Sequence, residues 1–233
     1  MKNYHVLLLI CVSHLFFSCG QSENNSKPKE ATPKEQPQSH EPKPVASNKK
    51  RIIFFGNSLT AGYGITPDEA FPALVQGKID SLQLPYTVVN AGLSGETSSG
   101  GLGRIDWILQ QPVDIFVLEL GSNDGLRGIP LKLTFDNLQE ILDHVKKKYP
   151  TAKVVLAGMQ LPPNLGSQYT TQFRTMFQSL AQKNDIVLIP FLLEGVGGNP
   201  ELNQGDGMHP NVEGHKIVAN NVWAIIKGIL QPA

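Results

Sequence analysis

The sequence predicts an α/β domain of the doubly wound type: a five-stranded parallel sheet in the flavodoxin-like order 2-1-3-4-5, sandwiched between helices. Three observations predict it. Strand-like and helix-like segments alternate five times between Arg51 and Ala233. The strand segments are nearly continuous apolar runs, as strands buried on both faces are. The segments between them carry apolar residues at helical spacing.

The first strand, Arg51–Phe55, is β-branched and aromatic after one basic residue, and Gly56 stops it. It delivers Ser58 to a tight turn at the strand's carboxyl end. After a loop at Gly62–Asp68, Phe71, Leu74, Val75 and Ile79 mark a helix over Glu69–Leu82. Leu84–Asn90 is the second strand, ended by Ala91 and Gly92. The glycine- and serine-rich stretch Gly92–Gly103 reads as a loop leading to a helix near Arg104–Gln111. Asp114–Leu120 is the third strand, ended by Gly121–Gly125.

The next helix is the clearest. Thr134 is placed to cap it, Phe135, Leu138, Ile141, Leu142, Val145 and Tyr149 form its apolar stripe, and Pro150 ends it. Lys153–Ala157 is the fourth strand, followed by a loop at Leu161–Gln168. Tyr169, Phe173, Met176, Phe177 and Leu180 form a second stripe, and Asp185–Phe191 is the fifth strand. A long loop carries Gly205–Asn211, and the last helix runs from about Val212 to Leu230.

Residues 1–50 break the pattern. Lys2 precedes the apolar run His5–Val12 and then Leu15–Gly20. Their apolar core is too short to span a bilayer and suits a secretory signal. Cys19 follows a small residue at the end of this run, an arrangement resembling a bacterial lipoprotein processing site. Residues 1–19 therefore read as a lipoprotein-type signal peptide ending at a lipidated Cys19. Residues 20–50 read as a disordered polar linker, too poor in apolar groups to offset its ordering entropy, and residues 51–233 as the folded domain. The expectation is export to the cell envelope, on the periplasmic side or at the outer membrane, with the membrane as partner through the lipid anchor. Cys11 and Cys19 both lie in the leader, so no disulfide holds the domain. The formal net charge is zero, and lysines alternate with glutamates along the linker, which argues against a nucleic-acid partner.

Four strand ends carry unusual groups: Ser58 after strand one, Gly92 after two, Asn123 after three, and Asp206 with His209 after five. Right-handed crossovers bring all four loops to one edge of the sheet. Together they supply what acyl transfer needs. Ser58 is the candidate nucleophile and His209 its base. Asp206, three residues away in the same loop, fixes the imidazole tautomer and stabilises the imidazolium. The backbone N–H groups of Ser58 and Gly92 and the side-chain amide of Asn123 are candidate donors to the oxyanion. Leu59 and the apolar, Pro-rich Leu161, Pro162 and Pro163 are candidates to line the acyl site. No His, Cys or carboxylate spacing calls for a metal, no dinucleotide or phosphate-loop pattern calls for a cofactor, and no Gly-x-Ser-x-Gly elbow occurs. His215 reads as a surface or capping histidine, His144 as part of a solvated face, and Asp124 as a turn stabiliser.

Four blocks carry a family resemblance. Gly56-Asn-Ser-Leu-Thr60, Asn90-Ala-Gly-Leu-Ser-Gly-Glu96, Gly121-Ser-Asn-Asp124 and Asp206-Gly-Met-His209 occur in that order across the folded part. They resemble the blocks of the SGNH (GDSL) hydrolases. Leu59–Gly64, Asn123–Gly128, Met159–Asn164 and Phe191–Gly195 are similar to segments of the acyl-CoA thioesterase I / lysophospholipase L1 and arylesterase branch. The resemblance implies a serine esterase with Ser58, Asp206 and His209 catalytic, and Ser58, Gly92 and Asn123 as oxyanion hole. The substrate would be a small-molecule acyl ester: a lysophospholipid or a short to medium acyl or aryl ester, with thioesters at the margin of the range. Two other readings stay open, a carbohydrate O-acetylesterase and a non-catalytic acyl- or glycan-binding lipoprotein. One departure stands out: Asn57 occupies the place of the aspartate in the family's usual Gly-Asp-Ser-Leu block. The expectation is an altered local network with catalysis intact.

Overall fold

A computed structural model describes residues 49–230. The expected signal peptide, the lipidated Cys19 and nearly all of the linker lie outside the described residues. Five strands form a parallel sheet in the order β2-β1-β3-β4-β5: β1 Lys50–Gly56, β2 Tyr86–Gly92, β3 Ile115–Glu119, β4 Lys153–Ala157 and β5 Val187–Ile189. This is the order the sequence predicts. In register, Gly56 at the end of β1 lies beside Gly92 of β2 on one side and Glu119 of β3 on the other. Three strand ends therefore meet at the point where the strand order reverses, the position at which open α/β sheets bind ligands.

The helices are α1 Ser58–Ala61, α2 Phe71–Ser81, α3 Ser98–Ile108, α4 Ser122–Leu126, α5 Leu131–Lys148, α6 Ser167–Asn184 and α7 Val212–Ile226. α2 packs on α7, whereas α3 packs on α5 and α5 on α6, the pairing a doubly wound sheet requires. The core lies between these layers and the sheet, with Ile52, Phe54, Phe55, Phe116, Leu118, Val155 and Leu156 wholly buried. Removing such side chains from water is the main driving term for the fold.

Several elements differ from the sequence reading. α3 starts at Ser98, inside the stretch read as a loop. Thr97 caps it by accepting the Gly100 N–H at 3.3 Å. Its glycines permit close packing: a Cβ on Gly101 would collide with Leu120 and come within 3.2 Å of Phe55. α5 begins at Leu131, so Thr134 is not its cap. Thr134 is buried, with its hydroxyl 3.4 Å from Asp124 Oδ1. β5 is shorter than expected because Asp185, at φ 50°, ends α6 in a left-handed conformation, and Pro190 cannot donate to a ladder. β1 begins at Lys50, one residue inside the expected linker.

His215 is not at the surface. It is buried on α7, and its Nδ1 accepts the Phe71 N–H at 3.1 Å, with the ring stacked on Phe71 at 6.2 Å between centroids. It thus caps α2, a helix other than its own, where Ala70 offers no capping side chain. Burial is the main cause that lowers its pKa to about 4; repulsion by His209 adds to this and Glu69 opposes it. Because the folded value lies below the unfolded one, the contribution is complete above pH 6.5 and is lost as pH falls through about 4. The His215 contribution should therefore fall by about 3 kcal/mol over that window, read in urea as the difference between wild type and a variant that cannot titrate there. His215→Asn, which keeps an acceptor near the Nδ1 position and does not titrate, should flatten this dependence. An equally steep loss in that variant would assign it to other groups.

Candidate active site

Ser58 is the first residue of α1, directly after β1. At this position its N–H has no intrahelical acceptor. Asn57 caps the helix by accepting the Leu59 N–H at 3.0 Å. His209 lies in the 203–211 loop, where Gln204 N–H donates to His209 O at 2.7 Å and the Gln204 amide donates to Pro210 O at 3.0 Å. The same amide donates to Tyr63 O at 2.6 Å, joining the loop to the segment after α1. Asn203 braces it from below by donating to Val196 O and Asn199 O, each at 2.7 Å.

This scaffold sets Ser58, His209 and Asp206 in one hydrogen-bonded line. His209 Nε2 is 2.9 Å from Ser58 Oγ, and His209 Nδ1 is 2.5 Å from Asp206 Oδ2. Asp206 Oδ1 accepts the N–H groups of Met208 at 2.9 Å and His209 at 3.0 Å. The His209 N–H bond is the largest cause that holds the Asp206 carboxyl down at about 2. An ionised carboxylate only accepts, so the imidazole proton sits on Nδ1 and Nε2 is left to accept from Ser58. The Ser58 hydroxyl has a second acceptor in Asn57 Oδ1, but at 3.4 Å it is the weaker one. The Tyr63 ring lies 4.7 Å from the His209 ring, centroid to centroid, and shields one face of it.

The three candidate oxyanion donors lie on adjoining elements. Gly92 must be glycine for steric reasons, since a Cβ there would collide with the backbone of Ala61. Its N–H already donates to Asn90 Oδ1 at 3.0 Å, so an oxyanion would have to share or displace that bond. Asn90 also donates to Thr60 O at 2.8 Å, tying the end of β2 to α1. Asn123, on α4, donates one amide proton to Glu96 O at 2.9 Å, which orients the amide and leaves its second proton available. Glu96 in turn pairs with Arg104, each guanidinium contact at 2.5 Å. Arg104 donates to Ala91 O at 2.8 Å and lies over the Phe55 ring at 4.2 Å. A half-buried ion pair thus braces the ends of β1 and β2 together with Asn123.

The expected acyl-site residues are spread more widely. Leu59 packs in the core with 6 % of its surface exposed. Leu161 is 9 % exposed and packs beneath α4, where a Cβ on Gly125 would come within 2.8 Å of it. Pro162 and Pro163 are exposed at the start of a 3₁₀ turn, Pro163–Leu165. Asp124 does more than hold its turn: it is buried and accepts the Ser98 N–H at 2.8 Å and hydroxyl at 2.5 Å. His144 is half-exposed and pairs with Asp106 at 2.8 Å. A cavity of about 430 Å³ lined by Lys146, Lys153, Asp185 and Ile229 opens at the other edge of the sheet, away from Ser58. Among the described residues no three His, Cys, Asp or Glu side chains gather as metal ligands do.

Sequence reasoning missed Asn90, Arg104 with Glu96, Tyr63 and, above all, Glu119. Glu119 is 1 % exposed and receives the Asn57 N–H, the Asn57 amide and the Thr60 hydroxyl. The signal for it was present, as a lone carboxylate inside the apolar run Ile115–Leu120.

Comparison with known proteins agrees with this geometry. Residues 54–217 match the sequence profile of the GDSL-like Lipase/Acylhydrolase family. The chain is 37 % identical to Esterase TesA of Pseudomonas aeruginosa over 180 residues, covering 77 % of this chain and 89 % of that protein. It is 39 % identical to Thioesterase 1/protease 1/lysophospholipase L1 of Escherichia coli strain K12 over 170 residues, 72 % of this chain and 79 % of that one. Among solved structures it resembles the psychrotrophic esterase EstA from Pseudoalteromonas sp., inhibited there by monoethylphosphonate. The TM-score is 0.73 at 32 % identity, covering 78 % of this chain and 98 % of EstA. With a profile match spanning most of the folded part and relatives this similar over most of their own length, the chain belongs to the GDSL-like lipase/acylhydrolase family.

Proposed function

We propose that this protein is a serine esterase that hydrolyses acyl esters through an acyl-enzyme on Ser58. The observation that carries the proposal is the continuous line Asp206 Oδ2, His209 Nδ1 and Nε2, Ser58 Oγ, with separations of 2.5 and 2.9 Å. Ser58 Oγ attacks the ester carbonyl while His209 Nε2 takes its proton. The tetrahedral oxyanion is met by the Ser58 N–H, the free Asn123 amide proton and the Gly92 N–H. His209 then gives the proton to the leaving alcohol oxygen. Water, deprotonated by the same nitrogen, releases the acid and regenerates Ser58.

Within that chemistry we place the substrate among lysophospholipids and short to medium acyl or aryl esters. The names of the relatives support this range. The test is turnover of p-nitrophenyl esters from acetyl to palmitoyl, with fluorophosphonate labelling mapped by mass spectrometry. Turnover with a chain-length optimum and a label on Ser58 is expected. An absence of turnover at every length, with no label, would overturn the esterase reading in favour of a binding protein.

We further place the enzyme at the cell envelope, on a lipid carried by Cys19. The support is the apolar run that ends at this cysteine and the polar residues after it. Cys19→Ser should shift the protein from the membrane fraction to the soluble one, and unchanged membrane association would remove the anchor.

A further inference from the structure

Beneath the nucleophile lies a buried polar pair that the triad chemistry does not use. Glu119 ends β3, and its Oε2 accepts the Thr60 hydroxyl at 2.8 Å and the Asn57 N–H at 3.1 Å. Its Oε1 accepts one proton of the Asn57 amide at 2.7 Å, and the Thr60 backbone adds a fourth donor. The other proton of the Asn57 amide goes to Ser122 Oγ at 2.8 Å. Asn57 Oδ1 is left facing the Leu59 N–H at 3.0 Å and Ser58 Oγ at 3.4 Å. Every polar atom of the Asn57 side chain is thus used, with its polarity fixed. The nitrogen points down to the carboxylate, and the oxygen points up to the helix start and the nucleophile. Gly56 makes room for this, since a Cβ there would lie 2.5 Å from Glu119 Oε2.

The geometry points to Asn57 and Glu119 acting as a single carboxamide–carboxylate unit that positions Ser58 and carries one negative charge, whichever of the two residues bears it. The inference rests on Ser58 being the nucleophile. A carboxylate offers about four lone-pair directions, and all four donors named above are already aimed at it. A proton on Glu119 must displace one of them and loosen the turn. Aspartate at position 57, as in the Gly-Asp-Ser-Leu form of the block, would set two carboxylates at hydrogen-bond distance and force them to share a proton. Asn57 removes the need for that proton.

Burial is the main cause that raises the Glu119 carboxyl to about 7, opposed by the bonds from Thr60 and Asn57. No cation pairs with it among the described residues. The charged groups around the cluster are Arg104, which reaches Gly56 O at 3.4 Å, its partner Glu96, Asp124 on α4, and His209 across Ser58. With a folded value above the unfolded one, the ionised and fully bonded form gives way to the protonated form as pH falls through about 7. The same sign makes this group's contribution to stability larger below that pH than above it.

The test compares wild type, Asn57→Asp, Glu119→Gln and the double swap that carries both changes, reading kcat, KM and the urea midpoint between about pH 5 and 9. Glu119→Gln sets an amide nitrogen against the Asn57 nitrogen. It should lower kcat about 10²-fold with KM little changed, and it should remove the step near pH 7 from the urea midpoint. Asn57→Asp should add an alkaline limb to kcat, where loss of the shared proton leaves two adjacent carboxylates. In the double swap the carboxylate at position 57 accepts from Leu59, Ser58, Ser122 and the new amide at position 119. The oxygen of that amide still accepts from the N–H of position 57 and from Thr60. The kcat of the double variant should return to within about tenfold of wild type.

A double variant no better than Glu119→Gln would overturn the inference, as would a Glu119→Gln enzyme with wild-type kcat. Should Glu119→Gln fail to fold, the double variant decides: folded and active supports the unit, unfolded refutes it. The urea midpoints read the pair without any ester turnover. An inactive wild type would therefore count against the esterase reading and leave the pair to be judged on those midpoints.

Discussion

Ser58→Ala should lower kcat for ester hydrolysis by about 10⁶-fold and leave KM close to its wild-type value. The size follows from what the hydroxyl does. Its oxygen forms the bond to carbon, and without it His209 can only assist a water that no side chain holds in line. The remaining rate, about 10³- to 10⁴-fold above the uncatalysed reaction, belongs to the oxyanion donors and to binding. The fold should be indifferent to the change. Ser58 is the first helical residue and its capping bonds come from Asn57, so alanine there removes only the 2.9 Å bond to His209 and the weak contact with Asn57. Steady-state kinetics on a p-nitrophenyl ester, with thermal unfolding alongside, separate the two effects. A loss of only tenfold with an unchanged midpoint would mean another group supplies the nucleophile.

The parts of this molecule that were legible in the sequence are those decided by local chemistry. Buried parallel strands must be apolar along their whole length, so Ile52–Phe55 and Val154–Ala157 announce themselves, and the spacing of Leu138, Ile141, Leu142 and Val145 fixes α5. Ser58, Gly92, Asn123, Asp206 and His209 were legible because each follows an element whose end glycine or polar cluster marks a sharp turn.

What stayed hidden depends on contacts between distant segments. The glycines of α3 look like loop residues until Leu120 and Phe55 are seen against Gly101. Thr134 looks like a cap because its other partner, Asp124, lies ten residues away on α4. His215 looks like a surface residue on its own helix because the N–H it accepts belongs to Phe71, 144 residues earlier. Glu119 marks the limit most clearly. Its charge inside a strand was visible in the sequence, but the donors that explain it come from β1's turn, on the neighbouring strand.

The second large effect falls on the residue that never touches substrate. Asp206→Asn should lower kcat by about 10⁴-fold with the loop intact. The outcome depends on which way the new amide faces. Asp206 Oδ1 accepts two backbone N–H groups, from Met208 and His209, at 2.9 and 3.0 Å. An asparagine keeps those bonds only with its oxygen toward the backbone, which turns its nitrogen to His209 Nδ1. The imidazole must then accept at Nδ1 and carry its proton on Nε2, facing Ser58 as a donor where an acceptor is required. Flipping the amide would restore the tautomer only by setting its nitrogen against two N–H groups, each an unmade bond worth about 1–3 kcal/mol. The natural carboxylate meets both demands at once because all its lone pairs accept. Its pKa, about 2, keeps it in that form throughout the pH range of assay. An acid limb of kcat above about pH 3 therefore cannot be protonation of Asp206. The variant should bind substrate with unchanged KM, unfold at the wild-type temperature, and react with fluorophosphonate far more slowly at Ser58. A rate within tenfold of wild type would reduce Asp206 to a brace for the loop and leave His209 to hold its own tautomer.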